Sequence, residues 1–204
     1  MPGGMTGEVA ALSLEHVWLV LLSVGVAIAI AAPAAVLIAR RAKLRRWTMS
    51  VVNVVQTVPS LALFGFLLPL PFIGGVGKRT AIVALILYAL LPVLRNTVTG
   101  ILSVDRGVRE SAVALGMTGR QIFWGVELPL AFPTILAGIR IATVTTIGTA
   151  TIAAAIGGGG LGVFVFRGIA MADSTTILAG AVPAALMAIA ADEVLGWIER
   201  RASY

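Results

Sequence analysis

The stretch ESAVALGMTGRQIFWGVELP, residues 110 to 129, decides how this chain is organised. It lies between two long apolar blocks and is too polar to cross lipid. Glu110, Ser111 and Ala112 open a helix-favouring run, and Gly116 interrupts it. Thr118 and Gly119 read as a break or a new N-cap before a second run. Pro129 closes the segment, because proline disfavours helix at the residue before it and is tolerated where the next helix begins. The expected element is a short helix, a bend, another short helix and a return into the membrane. It is structured enough to serve as a docking surface.

Composition sets the surroundings. The chain has 204 residues, 59% hydrophobic and only 12% charged. A soluble domain carries about 25% charged residues, so this is an integral membrane protein. A net charge of +6 in a soluble chain would raise nucleic acid as a partner. Here the basic residues sit at the ends of apolar blocks, where the positive-inside rule explains them. There is no cysteine, which excludes disulfides and thiolate chemistry. His16, the only histidine, stands beside Glu15 and reads as an interfacial residue rather than a metal ligand. No metal site and no catalytic residue is expected.

In chain order, residues 1–16 are polar and lack the positive n-region of a signal peptide. Spans are expected at about 17–39, 48–72, 80–99, 130–156 and 175–197, with the polar segment at 105–129. The first ends in Arg40, Arg41, Lys43, Arg45 and Arg46, a cytoplasmic stop. The second holds Asn53, Gln56 and Ser60 at helical spacing around Pro59. On one helix these three share a face, either for interhelical hydrogen bonds or lining a translocation path. Arg95 in the third span snorkels to the headgroups or meets substrate. Arg140 lies some turns into the fourth, whose first turns then belong to the interface. The threonine- and glycine-rich run that follows suits close helix approach inside the bundle or a dimer interface, and its Thr145 and Thr149 join Asn53, Gln56 and Ser60 as candidates to line the translocation path. Glycines 157 to 160 read as a flexible turn; no GK[ST] follows, so nucleotide binding by this chain is not expected. Residues 163–174 suit a short interfacial or re-entrant segment. Trp18, Trp47 and Trp197 fall at block ends, as aromatic belts do.

Basic residues orient the bundle. Ten of the fifteen fall on one side: the cluster after the first span, Arg106, Arg109, Arg120, Arg200 and Arg201. Three fall on the other, Lys78, Arg79 and Arg167, leaving Arg95 and Arg140 inside spans. The expected topology has the N-terminus outside and the C-terminus cytoplasmic.

Glu110-Ser111-Ala112, Gly116, Val126, Leu128 and Pro129 resemble the EAA motif of binding-protein-dependent ABC importer permeases. That pattern is E-A-A, three residues, G, nine residues, I, any residue, L-P; Ser111 and Val126 are mild departures that keep the spacing. The stretches 56–70, 87–101 and 147–162 resemble the osmoprotectant subgroup, which imports glycine betaine, choline, carnitine or related solutes. The resemblance implies an all-α permease of the type I, MetI-like fold, one transmembrane domain over 1–204 with five spans, in a bacterial inner membrane. It implies a cytoplasmic ABC ATPase dimer, a second permease subunit (identical or paralogous) and an extracytoplasmic solute-binding protein as partners. The seven motif residues would be the coupling element seated on the ATPase. ATP would be bound by that partner, and this chain would hold no cofactor.

Other readings remain. An ABC permease for another small solute shares much of the pattern. An intramembrane enzyme needs a nucleophile with a base or paired carboxylates in the bilayer, and Asp192 and Glu193, adjacent on a helix, point apart. A lone secondary transporter would usually need an internal repeat, and none is visible. Copurification of an ATPase separates these readings. Quaternary ammonium ions favour aromatic cages, yet the only tyrosines are Tyr88 and Tyr204, so tight solute binding is expected on the binding protein.

Overall fold

A computed structural model describes residues 4–202, which form helices and turns with no strand among them. Tyr204 lies outside the described residues. Helix α1 (Met5–Ala39) is 35 residues long, and so about 50 Å, well beyond a hydrocarbon core of ~30 Å. The polar start expected before the first span is therefore mostly helix, reaching past the span itself. Its second half is lined with Ala27, Ala31 and Ala35, all fully buried at fourfold spacing. Such small side chains let neighbouring backbones approach closely.

The second expected span is not one rod. Helix α2 (Ala42–Gln56) and helix α3 (Ser60–Leu67) meet at a bend of 99°. Pro59 causes it: proline pushes Val58 off helical geometry and brings no N–H of its own. The Tyr88 hydroxyl donates to the freed Val58 carbonyl at 2.6 Å, which holds the bend against helix α4 (Lys78–Ser103). The apolarity of the whole block hid this break.

Helix α5 (Arg106–Ala114) and the short helix α6 (Gly119–Ile122) follow. A π turn (Phe123–Glu127) then leads without interruption into helix α7 (Leu128–Ala153) and a final 3₁₀ turn (Ala154–Ile156). Pro129 thus does not separate a second short helix from the fourth span, as expected from the sequence. It sits in the first turn of α7, where a missing N–H does little harm beside a π turn already bonded i to i−5, Leu128 N–H to Phe123 C=O.

Helix α8 (Gly162–Met171) is the short segment expected after the glycines, and helix α9 (Ser174–Ala202) closes the chain. Helices α1, α4 and α7 form the centre, with α9 on α7 and α8 on α9. A Cβ on Gly138 would come within 2.5 Å of Asn96 Cβ, so glycine at this point sets how closely α7 and α4 pack. Among the described residues four continuous helices are long and apolar enough to cross a membrane; the bent α2–α3 pair makes a fifth if counted as one span.

Candidate functional site

The polar segment is built by local rules. Asp105 caps α5, its Oδ1 accepting from Gly107 N–H at 2.8 Å and Val108 N–H at 3.1 Å. Helix starts at Arg106, so Glu110 lies mid-helix and not in the first turn as expected. There it pairs with Arg106 at 3.0 Å on the exposed face. Gly116 adopts φ +77°, donating to Val113 C=O while Met117 N–H reaches Ala112 C=O. These two bonds form a Schellman cap, which favours glycine at the left-handed position. Thr118 and Gln121 then form a capping box that starts α6.

Of the seven motif residues, Ala112 is buried and Val126 and Leu128 half-buried, while Glu110, Ser111, Gly116 and Pro129 are exposed. Val113 and Leu115 stand beside them with 59% and 81% of their surface open. Exposed polar groups and apolar side chains together on a capped, bent element suit a protein partner.

The sequence reading passed over Glu127, the unspecified position between Val126 and Leu128. It is 4% exposed and has two cationic partners from different elements. Arg40, at the C-terminal end of α1, reaches Oε2 at 3.2 Å, and Arg109 of α5 reaches Oε1 at 3.3 Å. The Arg40 guanidinium also lies 5.4 Å from the centre of the Phe123 ring. Helical spacing could not have found Glu127, since a π turn shifts the helical face by one residue, about 100°.

The residues expected along a path are not brought together on one helix. Asn53 and Gln56 are exposed on α2, and Ser60 is half-buried beyond the 99° bend, so the three share no continuous face. Thr145 is exposed and Thr149 half-buried on α7, each hydroxyl donating to a backbone carbonyl of its own helix, at 2.7 and 2.8 Å.

Two further polar clusters join elements far apart in the sequence. His16 is fully buried: Nε2–H donates to Ile147 C=O at 3.1 Å and Nδ1 accepts from Leu161 N–H at 3.3 Å. Beside it Glu15 accepts from Gly160 N–H at 2.9 Å and pairs with Lys78. The expected flexible turn is thus a fitted cradle, in which a Cβ on Gly159 would come within 2.7 Å of the Glu15 carboxylate. Arg140, expected in an interface, reaches across to α9. It binds both oxygens of Asp192, at 2.6 and 2.8 Å, and Glu199 at 3.3 Å. Asp192, Gly196 and Glu199 recur along one face of α9, and the guanidinium lies 3.0 Å from where a Gly196 Cβ would be. Among the described residues no group of three or more His, Cys, Asp or Glu is placed to hold a metal ion.

Comparison with known proteins decides the assignment. The profile described as "Binding-protein-dependent transport system inner membrane component" matches residues 25–204. The chain belongs to this family. It is a multi-pass membrane transport component and not an enzyme. The glycine betaine/carnitine/choline transport system permease protein OpuCB of Bacillus subtilis is 45% identical over 195 residues, 96% of this chain and 88% of the relative. OpuCD of the same organism is 47% identical over 172 residues, 84% of this chain and 74% of that one. The osmoprotectant import permease protein OsmW of Salmonella typhimurium is 44% identical over 197 residues, 96% of this chain and 90% of it. Among solved structures, an inward-facing MetNI methionine ABC transporter aligns over 94% of each chain with TM-score 0.83 at 24% identity. The likeness fixes the fold as that of ABC importer permeases. Binding-protein-dependent transport in turn implies a separate solute-binding protein and an ATPase.

Proposed function

We propose that this permease carries a small compatible solute such as glycine betaine, choline or carnitine into the cell, driven by ATP hydrolysis on a separate subunit. The observation that carries it is identity of 44–47% across most of the chain to permeases named for those solutes. In this reading a cytoplasmic ATPase dimer seats Glu110, Ser111, Ala112, Gly116, Val126, Leu128 and Pro129, and ATP is bound there and not by this chain. Capped ends and an exposed Val113–Leu115 ridge support that role. Closure of the ATPase dimer then moves the segment and switches the permease between inward- and outward-facing states. A second permease, identical or paralogous, completes the pore; Asn53, Gln56, Ser60, Thr145 and Thr149 line the path. The N-terminus is outside and the C-terminus cytoplasmic.

The test is uptake of labelled glycine betaine, choline and carnitine into cells lacking every other importer of these solutes. Accumulation of at least one, abolished when the ATPase is inactivated, is expected. No uptake of any of them, with rescue of an unrelated nutrient requirement, overturns the substrate assignment in favour of an ABC permease for another small solute.

A further inference from the structure

Helix α5 packs against α6 and the π turn. Its ion pair from Arg109 reaches Glu127, and the other oxygen of that carboxylate holds Arg40 at the end of α1. The carboxylate side chain is 6% accessible, while the two arginines are 48% and 59% accessible. A buried anion is retained only where cations and hydrogen bonds offset its desolvation. Glu127 therefore fixes both arginines, whereas either arginine alone could swing into water. The π turn aims Glu127 inward, between α1 and α5.

We propose that Glu127 is a positioning residue for coupling: it clamps α5 to the inner end of α1, so that a displacement of the segment is passed to the first helix as a rigid-body movement. The proposal rests on the reading that the 105–129 segment docks on the ATPase. Without the clamp, α5 pivots on the Gly116 cap, and motion of the partner is absorbed there. A two-armed ion pair suits this, since it resists displacement in more than one direction yet adds no bulk to a crowded elbow.

The experiment uses the assembled importer in proteoliposomes. The chain has no native cysteine, so spin labels go only where cysteines are introduced. Val108→Cys on α5 and Leu37→Cys on α1 lie at exposed positions. Their separation is measured by pulsed electron resonance in nucleotide-free and vanadate-trapped states. With Glu127 intact the distance distribution stays the same in both states. In Glu127→Gln it broadens and differs between states, and solute moved per ATP hydrolysed falls about tenfold while ATP hydrolysis persists. Arg109→Gln, on the exposed helix, gives the same result should Glu127→Gln fail to accumulate, and Arg109→Lys restores the unchanged distance. A purely structural Glu127 would lower abundance in proportion to both activities and leave their ratio alone. An unchanged distance distribution in both Gln variants at normal abundance overturns the clamp. Gly116→Val separates the two readings. If it uncouples transport from hydrolysis while the clamp variants do not, only the clamp fails; if it too leaves the ratio intact, the docking assignment fails with it.

Discussion

Gly116 and Gly160 both have positive φ, +77° and +69°, but their surroundings differ. A Cβ on Gly116 would meet nothing within 4 Å, whereas on Gly160 it would lie 2.9 Å from His16 Nδ1. Gly116→Ala therefore adds only backbone strain, roughly 1–2 kcal/mol, a fall in Tm of a few degrees at this chain length. Gly160→Ala adds the same strain and also displaces the imidazole from Leu161 N–H and Ile147 C=O, with about 1–3 kcal/mol for each buried group left unpaired. Thermal unfolding of the purified permease should show a distinctly larger loss for Gly160→Ala. Equal losses would show that the cradle yields freely. This contrast also marks what could be read in advance. The bend at Gly116 and the cap at Thr118 follow from neighbouring residues alone. The fit of Gly160 depends on His16, more than 140 positions earlier, and no local rule reaches that far. Glu127 escaped for the same reason, with Arg40 87 positions away and a π turn breaking the spacing.

At the level of elements, apolar block length located the long helices, because lipid thickness imposes it whatever the packing. It could not show that α2 and α3 are two helices, since a proline inside an apolar block is equally compatible with a kinked span. It also hid the bond between α7 and α9. Asp192 and Glu193 do point apart, yet Asp192 alone meets Arg140 through two hydrogen bonds. Replacing Arg140 by Met leaves Asp192 and Glu199, with side chains 41% and 27% accessible, without that cation, although the Arg200 guanidinium still lies beside Gly196. Abundance and Tm should fall, and adding Asp192→Leu should recover part of the loss, because removing both charges is less harmful than stranding one. A double variant no better than Arg140→Met would assign the damage to lost packing of the arginine stem over Gly196 instead.

For the whole molecule, the distribution of basic charge argues for an outside N-terminus. Thr6→Cys and Gly119→Cys lie at exposed positions at opposite ends of the bundle. In intact spheroplasts an impermeant thiol reagent should label the first and spare the second, with both labelled once the membrane is opened. The reverse pattern would invert the topology. Whichever way the bundle stands, the Glu15–His16 seam has a consequence for how it is made. The partners of these residues on the glycine turn and α7 lie 131 to 145 positions later in the chain. At about 5–20 residues per second the ribosome needs on the order of ten seconds to supply them. During that interval the first helix is a newborn with a carboxylate and an imidazole that lack those mates. Lys78 is the first to reach the carboxylate, and the glycine turn then completes the seat of both side chains.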